Sequence, residues 1–375
     1  MPEGEAPRML RSVAPAWTVL IYTSASPDLR EAVQESLAEI SDRYGASNDS
    51  VQVVAQMGTA GSMQRLQLHG VDQPQPLGPA TRGEMTEPGR LREFLEWGMS
   101  RFPAQRYAVV LGGHGAGFAG AVTDSQRRSM LSLPSIQQQL SGLPARPELL
   151  IFNTCLMAQA EVAEQLQGTA SQLVASQSQL RGLGLPLAAW LPRLDARISA
   201  AEAARALAEE SSRVPDRAPQ VSALNLEGWP EIRESIDALA GYLMADARHR
   251  ADLRSHFKAL EDCWLRPQDR PVVDQHDLGS LVSRLAQDES LPEQLRHSAR
   301  RVGDLLDSLG TRLSLYGPDQ AFAHLGPPDR RVGQIYSDLE WSKNTRWDEF
   351  LYWLVSEGSD GDSPGSGDGS SPSPS

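Results

Sequence analysis

The feature that most restricts the fold is an alternation. Short runs rich in Val, Ile and Leu recur, and each gives way to a stretch with helical spacing. "WTVLIYTSAS" (17–26) reads as a buried strand closed by small polar residues. Leu29, Val33, Leu37 and Ile40 then recur at three- and four-residue steps, as on one face of a helix, and Gly45 stands where that helix would end. "VQVVAQM" (51–57) is a second strand, and "MQRLQLHG" (63–70) alternates like a half-exposed strand or hairpin arm. "TEPGRLREFLEWGMSRF" (86–102) is helical after Pro88, and "YAVVLGGHGAG" (107–117) is a strand running into glycines. "MLSLPSIQQQLSGL" suggests a short strand or turn followed by a helix. "ELLIFNTC" is another apolar strand, "AQAEVAEQL" the next helix and "SQLVASQ" (171–177) a further strand. Strands of this kind, alternating with helices, predict an α/β fold: a parallel sheet with helices on both faces.

From about 195 to 310 the pattern becomes mostly helical, so residues 196–310 are expected to form a helical insertion or subdomain on a core spanning 16–195. "RLSLYGP" (312–318) then reads as a late strand returning to the sheet and "NTRWDEFLYWL" (344–354) as a closing helix, so that 311–356 completes the core. Residues 1–15 read as a flexible N-terminus. The tail 357–375 holds almost only Gly, Ser, Pro and Asp; it cannot bury enough apolar surface to offset chain entropy and is expected to be disordered. The net charge of −13 disfavours nucleic acid as a main partner. Two cysteines, Cys155 and Cys263, make no disulfide framework. With no apolar leader and no membrane-length apolar run, the expectation is a cytoplasmic, bacterial protein that does not engage membranes.

Chemistry concentrates at two strand ends, "GGHGAG" and "FNTC". A thiolate is a nucleophile, and a neighbouring imidazole is the natural group to generate it near neutral pH. Adjacent strands lie roughly 4.8 Å apart, so their tips can bring His114 and Cys155 together. The backbone N–H of Gly115, with that of Cys155, could then hold a tetrahedral oxyanion. Taken singly, His114 reads as a loop residue and Cys155 as a small buried hydrophobe. Their joint placement at strand carboxyl ends carries the catalytic reading.

These segments resemble the clostripain family of cysteine peptidases, in the caspase-like clan. His114-Gly115 and Cys155 look like its His/Cys dyad, "WTVLIYTSASPDL" its first strand and helix start, and "FNTCLMAQAEVAEQL" its Cys segment. "LVASQSQLRGLGLPLAAWL" resembles the segment lining the specificity pocket. "VVDQHDLGSL", "RLSLYGP" and "NTRWDEFL" resemble later blocks, so the likeness runs over roughly 17–354. It implies a caspase-like catalytic core with Cys155 as nucleophile, His114 as acid/base, and Gly115 and Cys155 supplying the oxyanion N–H groups. Asn153, Ser176, Gln177 and Arg181 become candidate pocket residues. It implies an endopeptidase working through an acyl-enzyme on protein or peptide substrates, with a single dedicated protein target in bacterial regulation, cell death or defence as a further expectation. No cofactor is expected from the residues; calcium dependence enters through the resemblance alone. The alternative is a caspase-fold binding or regulatory protein without activity.

The sequence departs from the pattern at one informative place. Where basic-specific relatives carry an Asp two residues before the Cys, this chain has Asn153, and segment 171–190 holds no Asp or Glu but does hold Arg181. A neutral amide is a weaker partner for a guanidinium than a carboxylate is. An uncharged or acidic side chain is therefore expected in the first pocket. The resemblance implies self-cleavage between the His and Cys segments, for which Arg127 and Arg128 offer a site; alternatively they are a solvated basic pair. Asp124 is a candidate orienting or pocket carboxylate, or a turn residue. Cys263 reads as a structural thiol. Asp274, His276 and Asp277 lack zinc-site spacing and read as structural. Trp341, Trp347 and Trp353 read as packing residues.

Overall fold

The computed structural model describes residues 14–44, 50–68, 73–124, 129–260, 275–317 and 330–356. Cys263, Asp274, Arg127, Arg128, Gly45, residues 1–13 and the tail 357–375 lie outside the described residues.

The first half lays down β1 (Trp17–Ser24), α1 (Arg30–Tyr44), β2 (Val51–Thr59), β3 (Ser62–Gln67), the two-residue strands β4 (Gln75–Pro76) and β5 (Thr81–Arg82), α2 (Arg90–Arg101) and β6 (Arg106–Gly112). Then come β7 (Ala121–Asp124), β8 (Ser129–Leu131), α3 (Leu133–Leu140), β9 (Leu149–Asn153), α4 (Ala160–Gln165), β10 (Gln172–Ser176) and α5 (Leu187–Trp190). The second half holds α6 (Ala200–Ser212), β11 (Val221–Asn225), α7 (Trp229–Met244), α8 (Arg250–Lys258), β12 (Gln275–Asp277), α9 (Leu278–Gln287), α10 (Glu293–Ser308), β13 (Ser314–Tyr316), α11 (Arg330–Ser337), α12 (Glu340–Asn344) and α13 (Trp347–Val355).

The main sheet runs in the order β11-β10-β9-β6-β1-β2-β3-β4, with β5 also on β3. The five strands from β10 to β2 are mutually parallel, while β3 and β11 cap them antiparallel. Strand periodicity splits the apolar runs between two cores. Leu20, Tyr22, Leu150 and Phe152 face one, which α2, α3, α4 and α7 cover; Val19, Ile21, Leu149 and Ile151 face the other, under α1, α5 and α6. This is a caspase-like α/β arrangement.

One expectation is corrected in the second half. Residues 196–310 are mostly helical and also hold β11, Val221–Asn225, an edge strand of the main sheet on β10, with Ser222 and Leu224 turned inward. Because β11 occupies that edge, β13 does not return to the sheet; it pairs with β12 in a two-stranded ribbon. The closing helix forms as α13 and buries Trp347, Phe350, Leu351 and Leu354. Trp341 is buried in the same core, and Trp353 lies half-buried against the Arg250 guanidinium.

Candidate active site

Three neighbouring strands end at one level. Thr23 of β1 pairs with Gly112 of β6, and Gly112 with Asn153 of β9. His114 and Cys155 each lie two residues beyond those partners, so the register sets them on the same rung. At Gly113, φ is +128° and a Cβ would press on Ser24, so glycine lets β6 turn out beside β1. At Gly115 a Cβ would strike the Cys155 carbonyl and the Thr154 side chain, so the two tips approach as closely as only glycine permits.

The His114 loop is held from behind. Val122 N–H donates to the His114 carbonyl at 2.9 Å and Ala116 N–H to the Gly120 carbonyl at 2.9 Å. Gly115 bridges Ala121 between those two bonds, and its own N–H takes part in neither. Val122 is buried with φ +62°, strained for a β-branched residue. Phe118 N–H donates to Gln159 Oε1 at 2.6 Å, which ties this loop to the segment after Cys155. That segment is strained as well: Leu156, buried, has φ +69°, and its N–H donates to the Ser178 carbonyl at 3.2 Å. Such conformations cost about 1–3 kcal/mol each and persist where surroundings fix them.

The end of β1 contributes a carboxylate. Asp28 Oδ2 stands 2.8 Å from His114 Nε2. Ser26 Oγ donates to Asp28 Oδ1 at 2.7 Å and lies 3.4 Å from the same ring nitrogen. The Ser26 hydrogen bond, with the His114 ring adding to it, holds the Asp28 carboxyl below its ordinary value. Burial pushes the Cys155 thiol up, so it rests protonated, with Sγ 3.9 Å from the Leu180 carbonyl. Asp28 and Ser26 escaped the sequence reading. Their signal in the sequence is "SASPDL", polar residues at a third strand end beside those of His114 and Cys155.

His114 and Cys155 line one cleft of about 270 Å³, together with Asn153. Its walls come from α1 and from segment 179–187. The other candidates are placed elsewhere. Ser176 is buried and donates to the Pro219 carbonyl at 2.7 Å; Gln177 is buried and donates to Asp277 Oδ2 at 2.9 Å. Arg181 is exposed, with its N–H on the Arg217 carbonyl. None of these three lines the cleft. Asp124 is buried at the end of β7, away from it. Asp277 caps α9 by accepting from Ser280 N–H at 2.6 Å, and His276 is buried against Phe257 and Gly317. No group of three or more His, Cys, Asp or Glu that could hold a metal ion occurs among the described residues.

A caspase-like sheet that brings a thiol and an imidazole to one cleft defines the class as cysteine peptidase. The sequence profile of the clostripain family (Peptidase_C11) matches residues 21–302, and the chain belongs to that family. Among solved structures, a secreted C11 cysteine protease from Bacteroides thetaiotaomicron, in complex with an irreversible peptide inhibitor, is similar at 17% identity and TM-score 0.65, over 89% of this chain and 100% of that one. An inactive zymogen C11 protease from Parabacteroides distasonis is similar at 18% identity and TM-score 0.67, over 89% of this chain and 99% of that one. At such identities the likeness speaks for a shared fold. No curated protein sequence matches the chain.

Proposed function

We propose that the protein is a cysteine endopeptidase in which Cys155 is the nucleophile and His114 the acid and base. The supporting observation is the common register of the two residues at paired strand tips lining one cleft. With Nε2 engaged by Asp28, Nδ1 is the nitrogen left to take a proton. Because burial keeps the thiol protonated, deprotonation accompanies attack: the proton moves from Cys155 Sγ to His114 as sulfur bonds to the substrate carbonyl. The oxyanion so formed meets the N–H groups of Gly115 and Cys155. Collapse expels the amine, which takes the proton from His114, and leaves a thioester. His114 then draws a proton from water as its oxygen attacks the thioester, and the carboxylate product and free thiol are released. Asp28 positions the ring and offsets its positive charge while it holds the proton.

Substrates in this reading are proteins or peptides, with one dedicated protein target as the family resemblance implies. A cytoplasmic, reducing setting suits a mechanism that needs a free thiol. The experiment is turnover of a peptide pool together with labelling by a thiol-directed irreversible peptide ketone. Wild type should cleave and carry the label on Cys155, and Cys155→Ala should do neither while unfolding at the wild-type temperature. Cleavage by that variant would overturn the assignment. A folded wild type that neither cleaves nor takes the label would favour the binding-protein alternative.

A further inference from the structure

Within the peptidase reading, on which this inference rests, we propose that the subsite beside Cys155 takes an apolar side chain of the size of Leu, Met or Phe. That side chain belongs to the substrate residue supplying the scissile carbonyl, and the subsite rejects Arg and Lys there. Leu29, just before α1, and Val33 and Leu37 on it line the cleft together with Leu180, Leu183 and Leu187. Among the described residues that line it, none is Asp, Glu, Lys or Arg. Its volume, about 270 Å³, exceeds the roughly 150 Å³ of an apolar cavity that holds a benzene ring.

Asn153 does not stand in for a missing carboxylate. Its Oδ1 accepts a hydrogen bond from Leu185 N–H at 2.7 Å. A backbone donor needs an acceptor, so this contact fixes the amide with its oxygen toward Leu185 and takes one of that oxygen's two lone pairs, while the NH2 group is a donor only. A guanidinium or ammonium, itself all donor, meets only neutral acceptors there and, among the described lining residues, no carboxylate to pair with. Asp28, the carboxylate beside the dyad, has one oxygen on Ser26 and the other on His114. Behind the wall stands a cation, Arg217, itself paired with Glu39 at 3.7 Å. The Arg217 guanidinium donates to the carbonyls of Gly184 at 2.5 Å, Leu185 at 3.0 Å and Leu183 at 3.4 Å. The apolar wall is thus clamped from both sides, and an unpaired charge entering it loses hydration without compensation.

The experiment is a fluorogenic peptide series on the full chain, varied only at the residue before the cleaved bond. Activity (kcat/KM) for Leu, Met or Phe should exceed that for Arg or Lys roughly 10- to 100-fold. Asn153→Asp keeps an acceptor for Leu185 N–H and adds a charge, and should raise the Lys-to-Leu ratio at least about tenfold. Irreversible ketones carrying Leu or Lys give an independent readout, with the Leu probe expected to label Cys155 faster. A preference for Arg or Lys, a preference for Asp or Glu, or equal rates throughout the series would each overturn the subsite assignment while leaving the peptidase reading intact. No cleavage and no labelling by either probe would overturn both.

Discussion

The rim of the cleft and its wall are built on different terms. The rim, with Asp28, His114 and Cys155, grows from the ends of three parallel strands whose register is set by the sheet itself. The wall grows from α1 and a segment with little regular structure, held in place by two side-chain clamps, Asn153 and Arg217. On the proposed mechanism, reaction chemistry rests on the part of the fold that is hardest to alter, and selectivity on contacts that one substitution can change. The comparison predicts that damage to the rim lowers kcat and damage to the wall alters KM or substrate choice.

The largest effect should come from His114→Ala. Loss of a general acid and base costs about 10²- to 10⁴-fold, and here it falls on kcat because the wall is untouched. Steady-state kinetics on the best substrate check this; a full kcat in the variant would remove the imidazole from the reaction. Asp28→Ala should follow, with kcat down about 10- to 100-fold and KM within twofold, since Asp28 contacts the ring and not the cleft wall. Asp28→Asn should recover part of the loss by keeping a hydrogen-bond acceptor for Nε2. If Asp28→Ala instead raises KM with kcat unchanged, Asp28 belongs with the wall.

The rim was legible in the sequence where local cues coincided with topology. His114 follows an apolar run and is flanked by glycines, and Cys155 ends another such run. Asp28 was not legible, because "SPDL" reads equally well as the start of α1 and its partner lies 86 residues on. Ser176 and Gln177 show the opposite failure. They end β10 close in sequence to the wall, yet their side chains anchor Pro219 and Asp277, contacts 43 and 100 residues distant. The sheet's parallel centre could be read from its uninterrupted apolar strands. Strand β11 could not, because five residues with only two turned inward carry little pattern between helical flanks.

The wall is tested by Arg217→Met. Its guanidinium holds three successive carbonyls, and its loss leaves Asn153 as the side chain that ties segment 183–185, beside local backbone bonds such as Gly184 N–H to the Arg181 carbonyl. KM for an apolar substrate should rise several-fold with kcat within about threefold, and stability should fall by about 1–3 kcal/mol. A fall in kcat with no change in KM would mean that wall and rim are coupled, and that the two regions do not divide the work as described.

The smallest effect concerns what lies beneath the rim. Glu161, in the helix that follows the Cys155 segment, is fully buried; its Oε1 accepts from Tyr316 N–H at 2.9 Å and from Tyr336 Oη at 3.0 Å, joining α4 to β13 and α11. Burial raises its pKa to about 7 from an ordinary 4.5, so the folded protein keeps a proton there that the unfolded chain releases. The folded state then binds more protons between those two values, and this group's contribution makes stability fall as pH rises from about 4.5 to about 7 and level off above. Glu161→Gln keeps the acceptor for both partners and cannot ionise. The difference in melting temperature between variant and wild type should therefore grow across that window in the variant's favour and stay constant beyond it. Asp348, raised to about 7 by its own burial, is present in both proteins and cancels in the difference. Activity per folded molecule should be unchanged at pH 6, because the support beneath the rim keeps its shape. A difference in melting temperature that is flat with pH would show that Glu161 ionises like an ordinary surface carboxylate, and a loss of kcat at pH 6 would extend the catalytic rim below the strand tips.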